Sequence, residues 1–423
     1  MDLKNQLLSG AFDAMLQTLY GHTDHARAQH VIEAFAERFP EHTDQAALFS
    51  APGRTEIGGN HTDHQHGCVL CGSVDLDMLS CAAPNGLQEL RVWSEGYGGV
   101  TVSLSDLAAQ EAERDTTAAL VRGVAAGVAA LGHTVGGADI YVHSNVIAGS
   151  GLSSSAAFEV LIGTILNRFF CGGALDSITI AKISQMAERD YYGKPCGLMD
   201  QMGSAVGGAV AIDFRDPANP IVERPGYDFT QSGHALCIID TGSTHADLTD
   251  DYADITREMG TVAAFFGKQF LRDVPEADFR AALPALRASC GDRAVLRALH
   301  FFAEDRRAIR EAEALKNNDF AAFLRLVNES GRSSALFLQN TWSVSAPKSQ
   351  AISVALAVGE GLLAGTGAIR VHGGGFAGTV QAWVPVDRLD AFREGIEAVF
   401  GAGKCHILHV RPIGGCVITD QEG

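Results

Sequence analysis

The sequence lacks the features that would assign the chain to a membrane, to nucleic acid or to secretion. No run of about 18 apolar residues occurs, so no transmembrane helix is expected. With 32 Lys and Arg against 50 Asp and Glu, the formal charge is −18, a field that repels nucleic-acid backbones and anionic lipid. The first residues, MDLKNQLLSGAFDAML, show no basic start followed by an apolar run, so no signal peptide is visible.

Cysteine usage also excludes a disulfide framework. The nine cysteines are odd in number, and most lie inside apolar runs, which is typical of reduced, buried thiols in a cytoplasmic protein. Only 19% of the residues are charged and 46% are apolar, so the chain can bury sizeable cores. We expect a cytoplasmic monomer that has no nucleic-acid or membrane partner.

The length of 423 residues favours two domains. Asp and Pro cluster at 216–220 after an apolar strand, so we place the domains at 1–215 and 216–423. There is no internal repeat, low-complexity tract or long linker. Apolar spacing typical of helices occurs at 5–38 (broken at Gly21), 117–131, 156–170, 177–192, within 250–364 and at 387–400. Strands are expected within 48–104 and at 138–144, 207–214, 234–240 and 406–412. Two more strands are expected about a glycine turn at 369–386.

The segment SAPGRTEIGGNHTDHQHG (50–67) is the first candidate for chemistry. Its His and Asp side chains are possible metal ligands, although such close spacing rarely brings them to one ion. A solvated polar loop is a second interpretation. The third is a sugar site, because several short polar side chains on a glycine-bent loop can each meet one hydroxyl.

The segment NVIAGSGLSSSAAFEV (145–160) is the second candidate. Its glycines allow close backbone approach, and the helix that follows has first-turn N–H groups without intrahelical acceptors. Those donors and the helix dipole form an anion site. The alternative is that Ser153 or Ser154 merely caps a helix. No GK[ST] follows, so the loop is not a Walker loop.

Two further segments carry candidate residues. In AERDYYGKPCGLMDQMGSAVGG (187–208), Pro195 and Gly197 interrupt a helix and project Asp200, which is either an ordinary cap or a group that accepts a hydroxyl proton. Glu188 is either a surface residue or an oxygen ligand for Mg²⁺. The run VHGGGFAGT (371–379) fits G-x-G-x-x-G but opens no helix, so we interpret it as a glycine hairpin against the sugar–phosphate loop.

In this order the segments APGR and HTD, GLSSSA, PCGLMDQ and GGGFAG resemble the motifs of the GHMP small-molecule kinases, and most closely those of the branch that phosphorylates sugars. The stretch HADLTDDY (245–252) resembles the same branch. The resemblance implies a two-domain α+β fold with the active site in the cleft. The N-terminal domain would carry a mixed sheet with helices, and the C-terminal domain a ferredoxin-like antiparallel sheet with inserted helices at about 250–345.

The resemblance also implies roles for individual residues, and it implies ATP and Mg²⁺ as cofactors. Arg54 would lie beside the transferred phosphate, and Asp200 would take or orient the proton of the anomeric hydroxyl. The remaining implied residues are Asn60, His61, Asp63, Gly197 and Tyr252 for the sugar, Gly149, Ser150, Gly151, Leu152, Ser153, Ser154 and Ser155 for the ATP phosphates, and Ser155 with Glu188 for Mg²⁺.

Three positions depart from the family pattern. Asn60 stands where the family has Glu, a residue associated with the C6 end of galactose, His64 stands where Tyr is usual, and Ala377 replaces a glycine. The function implied is an ATP-dependent sugar 1-kinase with D-galactose as best substrate, and Glu at position 60 should favour galactose. L-Arabinose, galacturonate or N-acetylgalactosamine are alternative substrates. A catalytically silent sugar sensor and a metallohydrolase built on HTDHQH are alternatives of other classes.

Overall fold

The computed structural model describes residues 2–147, 151–243 and 248–420. Its strands in chain order are β1 (Ala47–Gly58), β2 (Cys68–Pro84), β3 (Glu89–Ser94), β4 (Gly98–Ser103), β5 (Ala138–Ser144), β6 (Ala209–Asp213), β7 (Ile221–Glu223), β8 (His234–Asp240), β9 (Ala368–His372), β10 (Thr379–Pro385), β11 (Cys405–Leu408) and β12 (Cys416–Val417).

The helices alternate with these strands in the first half and dominate the second. In chain order they are α1 (Leu3–Leu8), α2 (Asp13–Tyr20), α3 (Ala26–Arg38), α4 (Thr117–Ala130), α5 (Ser154–Phe170), α6 (Ser177–Met186), α7 (Met199–Val206), α8 (Thr249–Phe265), α9 (Glu276–Ala281), α10 (Leu283–Cys290), α11 (Asp292–Lys316), α12 (Phe320–Ser333), α13 (Ala351–Leu363) and α14 (Leu389–Phe400).

The larger sheet is mixed, as expected for the N-terminal part. Its strand order is β12-β1-β2-β5-β3-β4, with β6 paired to β2 and β7 paired to β6. The β3–β5 pair is parallel and the other pairs are antiparallel. Helix α5 packs against β1 and is buried over most of its length, which accounts for its nearly continuous apolar sequence. β7 and β12 lie in the larger sheet although both follow residue 216, and the division at 216 stays a prediction.

The smaller sheet has the ferredoxin-like topology that the sequence resemblance implied. Its order is β11-β8-β10-β9, with every pair antiparallel. In chain order it runs strand, helices, two strands, helix, strand, which is the split βαβ arrangement. Helices α8–α13 form the insertion between β8 and β9, and α14 connects β10 to β11. The α+β expectation is therefore confirmed.

The smaller sheet docks on the middle of β1 through buried polar side chains. Arg370 donates to the carbonyl of Ile57 at 2.6 Å, and Gln381 donates to Thr55 Oγ1 at 2.7 Å and to the carbonyl of Glu56 at 2.9 Å. These directional contacts fix β1 relative to the glycine hairpin between β9 and β10. β1 is the strand that carries the first candidate segment, so this docking positions the site.

Candidate active site

The Asp200 carboxylate is contacted by two side chains from distant parts of the sequence. Arg54 on β1 contacts Asp200 Oδ1 through Nε at 2.8 Å and through Nη2 at 2.6 Å. Ser153 Oγ donates to Asp200 Oδ2 at 2.6 Å. Arg54 Nη1 also donates to the carbonyl of Gly151. The structure thus brings together the candidate arginine, the candidate aspartate and the turn before α5.

The electrostatics of this cluster keep Asp200 ionised. Burial alone would raise the pKa of Asp200, but the Arg54 guanidinium and the hydrogen bond from Ser153 outweigh it, so the pKa lies below its ordinary value. The Asp200 side chain retains 26% of its surface exposed, which leaves a path for a substrate hydroxyl. Asp200 does not cap a helix end: it lies in the first turn of α7, and Leu198 at the cap position makes no side-chain cap bond.

The turn that precedes α5 has a geometry that ordinary capping does not need. Ser153 has φ 56° and makes no side-chain cap bond, since its hydroxyl contacts Asp200 instead. A non-glycine residue in the left-handed region is strained, and such residues cluster at functional sites. The first N–H groups of α5, from Ser154 onward, lack intrahelical acceptors and form an anion site. Gly149 and Ser150 lie outside the described residues.

A second carboxylate lies on the other side of this turn. Glu188, on a π-helical turn that continues α6, accepts from Ser155 Oγ at 2.9 Å and from Lys194 Nζ at 2.8 Å, both at Oε1. Gln201 Nε2 holds the other oxygen, Oε2, at 2.7 Å and also donates to Glu159 at 3.1 Å. Burial and then the Glu188 charge raise the pKa of Glu159 well above its ordinary value. The pair of Glu188 and Ser155 is therefore built on a rigid, buried support.

One open cavity lies beside these groups. It has a volume of about 290 Å³ and is lined by the 151–155 turn, Arg54, Lys194 and Asp200. Its walls combine two cations, hydroxyl donors and a helix N-terminus. A cavity with these donors fits a phosphate group.

Four of the predicted sugar ligands lie either at the 197–200 segment or against the glycine hairpin. A Cβ at Gly197 would meet Asp63 Oδ2 at 2.4 Å, so the absence of a side chain there lets Asp63 approach the 197–200 segment. His61 contacts the Gly374 carbonyl at 2.8 Å, and Tyr252 donates to the Gly375 carbonyl at 2.9 Å. Burial, followed by the nearby carboxylates, raises the pKa of Asp63 above its ordinary value, although the backbone N–H of His64 donates to it.

Asn60 does not face the cleft with the other predicted ligands. It is fully buried: Nδ2 donates to Glu56 at 2.9 Å and to the Gly373 carbonyl at 2.7 Å. Its Oδ1 accepts from Ser334 at 3.1 Å and from Asn340 at 2.9 Å. Every polar group of the amide is used within the protein. The geometry therefore argues against direct reading of a sugar hydroxyl by Asn60, and against Glu at this position as a simple gain of galactose contacts.

The other histidines of the HTDHQH run point to different partners. His66 stacks on Phe270 with ring centroids 3.6 Å apart, whereas His61 contacts the hairpin carbonyl. Burial lowers the pKa of His64 to about 3, so its ring is neutral. Within 2–147, 151–243 and 248–420, no group of three or more His, Cys, Asp or Glu side chains is arranged to hold a metal ion.

Sequence reasoning missed two residues of the site. Lys194 lines the phosphate cavity. The sequence feature that could have identified it is a single basic residue six positions before Asp200. Glu56 accepts from both Arg370 and Asn60. The sequence feature that could have pointed to Glu56 was an acidic residue in a predicted strand, two residues after Arg54, and the structure buries that whole strand.

Two family models match this chain. The model of the GHMP kinases N terminal domain matches residues 119–208, which include α5, Glu188 and Asp200. The galactokinase galactose-binding signature matches residues 33–84, which include Arg54 and Asp63. No described helix has the length and apolarity needed to cross a bilayer.

Solved structures share this fold over most of the chain at low sequence identity. The Lactococcus lactis galactokinase complexed with galactose has a TM-score of 0.76 at 20% identity, covering 92% of this chain and 100% of that one. A Bacteroides thetaiotaomicron D-glycero-D-manno-heptose 1-phosphate kinase has a TM-score of 0.57 at 16% identity, covering 87% and 97%. The L. major mevalonate kinase in complex with R-mevalonate has a TM-score of 0.58 at 14% identity, covering 86% and 96%.

Residues 119–208 match the GHMP kinase N-terminal domain, and this match, the shared fold and the phosphate cavity together support an ATP-dependent sugar kinase. Residues 33–84, which include β1, carry the galactokinase galactose-binding signature. The recognition and the class of enzyme expected from the sequence are thus confirmed.

Proposed function

We propose that the chain transfers the γ-phosphate of ATP to the anomeric hydroxyl of a sugar, with D-galactose as the best substrate. The observation that supports this most directly is the contact of Arg54 and Ser153 with Asp200 beside the N-terminus of α5. The galactokinase galactose-binding signature supports the choice of sugar. So does the fold shared with a galactokinase that was solved with galactose.

In this reaction Asp200 accepts or orients the proton of the sugar hydroxyl. Its carboxylate is ionised, partly exposed and already a hydrogen-bond acceptor, which are the properties a general base needs. Arg54 spans Asp200 and the 151–155 turn, so its charge lies where the transferred phosphate meets the sugar. Phosphoryl transfer depends mainly on such positioning and charge neutralisation.

The residues present fit a divalent cation bound together with ATP. Ser155 Oγ and Glu188 Oε1 are hard oxygen atoms 2.9 Å apart beside the phosphate cavity. Mg²⁺ is commonly held by one or two protein oxygens together with substrate phosphates. Ser155 and Glu188 would hold it, and its chemistry would be the neutralisation of phosphate charge. The first N–H groups of α5 would bind the phosphates.

Asn60 is the reason to keep related sugars as the second candidate. Asp63, His61, Gly197 and Tyr252 would contact the sugar, whereas the Asn60 amide is saturated by the protein. Residue 60 would therefore not contact the C6 end of the sugar, which the resemblance assigns to a glutamate at this position. We further propose a cytoplasmic monomer with domains at 1–215 and 216–423.

A panel of sugars tests this proposal. We expect ATP-dependent ADP release with D-galactose, and a higher kcat/KM for it than for L-arabinose, galacturonate or N-acetylgalactosamine. The product should carry phosphate on the anomeric oxygen, which ³¹P NMR identifies. A higher kcat/KM for one of the other sugars would reassign the substrate and keep the kinase. Binding of ATP and sugar without turnover of any sugar would instead support the silent sensor.

The pH dependence of Arg54→Ala tests the electrostatic role of that residue. Removing the guanidinium leaves the burial that raises the pKa of Asp200 without its main opposing charge. Because activity needs ionised Asp200, it is lost as pH falls through this pKa. The acidic limb of kcat/KM should therefore move to higher pH in the variant, and kcat should fall more than sugar affinity does. An unchanged acidic limb, or a change confined to the sugar KM, would contradict the assignment.

A further inference from the structure

Lys194 is a cation of the phosphate cavity that the residue roles described so far do not use. Its side chain is 54% exposed, whereas that of Glu188, which it contacts at 2.8 Å, is 2% exposed. The lysine therefore lies on the cavity side of the pair and the glutamate on the protein side. A long side chain that is half exposed can change partners at small cost.

The two oxygens of Glu188 are held in different ways. Oε2 is fixed from the interior by Gln201 at 2.7 Å. Oε1 accepts from Lys194 and Ser155, both of which line the cavity. Oε1 and the Ser155 hydroxyl are the atoms that fit a divalent cation. The Lys194 ammonium thus supplies, beside Glu188 Oε1, the positive charge that such a cation would supply.

The charges in and around the cavity decide what Lys194 would contact once a divalent cation is bound. Arg54 is already paired with Asp200, so Lys194 is the other cation that lines the cavity. A divalent cation on Glu188 would displace the lysine ammonium by repulsion, and the phosphate groups of ATP would be the nearest anionic partners for it. The protein as a whole carries a charge of −18, so a local cation matters for binding a polyanion.

We propose that Lys194 is an exchangeable phosphate-binding residue: it neutralises Glu188 when no divalent cation is bound and transfers to the ATP phosphates when one binds. This inference rests on the proposed kinase function and deepens it. The lysine and the divalent cation compete for Glu188, and they cooperate in binding ATP.

Binding of Mn²⁺ alone, measured by the EPR signal of the free ion, tests the competition without any turnover. Lys194→Met removes the competitor and should tighten Mn²⁺ binding about threefold to fivefold, the range expected for a partly exposed ion pair. Lys268→Met removes the same charge from an exposed position in the helical insertion and should leave the affinity unchanged. Unchanged or weaker Mn²⁺ binding in Lys194→Met would overturn the proposal.

Titration with MgATP tests the transfer to phosphate. Lys194→Met should bind MgATP about tenfold more weakly than the Lys268→Met protein, and Lys194→Arg should restore most of the loss because it keeps the charge. Equal MgATP affinity in Lys194→Met and Lys268→Met would also overturn the proposal. Both titrations remain informative if no sugar in the panel is phosphorylated, so failure of the proposed function and failure of this inference are distinguishable.

Discussion

Asp200→Asn is expected to lower kcat by about a thousandfold, the usual scale for losing a positioned general base. The amide keeps the shape of the carboxylate and can still accept a hydrogen bond from Arg54 or Ser153, so the fold and the binding of ATP and sugar should survive. What the variant loses is the charge that Arg54 and Ser153 stabilise in the ionised acid. An amide oxygen cannot take the proton of the sugar hydroxyl.

Single-turnover kinetics with D-galactose and binding titrations of both substrates would separate these effects. Asp190→Asn is the matched control, because Asp190 is exposed and lies ten residues earlier in the same segment. The control should show wild-type kinetics. Near-normal turnover in Asp200→Asn would remove Asp200 from the mechanism. Loss of sugar or ATP binding in step with kcat would mean that its role is structural.

The sequence predicts an anion-binding turn before α5 and a helix break that exposes Asp200, because both features depend on local chemistry. Glycine and serine before an apolar helix predict an anion site wherever the helix packs, and Pro195 with Gly197 predicts a break that exposes Asp200. The sequence could not predict the left-handed conformation of Ser153, which turns a potential capping hydroxyl toward Asp200. That conformation depends on contacts between segments that are 47 residues apart.

Residues 50–67 show more clearly what cannot be predicted from the sequence alone. The family resemblance groups Asn60 with His61 and Asp63 as residues that contact the sugar. In the structure, His61 has φ 59°, and the backbone turns so that Asn60 faces the interior. Its partners Ser334 and Asn340 come from the helical insertion, more than 270 residues away in sequence. No local pattern predicts which insertion residues will complete such a network.

Asn60→Glu should therefore destabilise the protein by about 3–5 kcal/mol, the range for an uncompensated buried charge, rather than improve galactose binding. Two donors of Asn60 disappear, and the new carboxylate would face Glu56 and the carbonyl of Gly373, which now accept from the amide. Ser334 and Asn340 can still donate, but they are neutral. Urea unfolding of the wild-type protein and the variant would give the change in the free energy of unfolding, provided that the two curves have the same m value.

Asn60→Gln is the matched control, because it has the length of Glu without its charge. It should lower the free energy of unfolding by about 1–3 kcal/mol through overpacking, so the difference between the two variants measures the effect of the charge.

Adding Glu56→Gln to Asn60→Glu should recover part of the lost stability, because an amide at 56 can donate to the new carboxylate. Burial beside Glu56 raises the pKa of the introduced carboxyl in the folded protein. The folded state then binds more protons than the unfolded state, and the deficit should shrink as pH falls. Equal stability of Asn60→Glu and Asn60→Gln, or a galactose kcat/KM above wild type in Asn60→Glu, would show that position 60 faces the substrate after all.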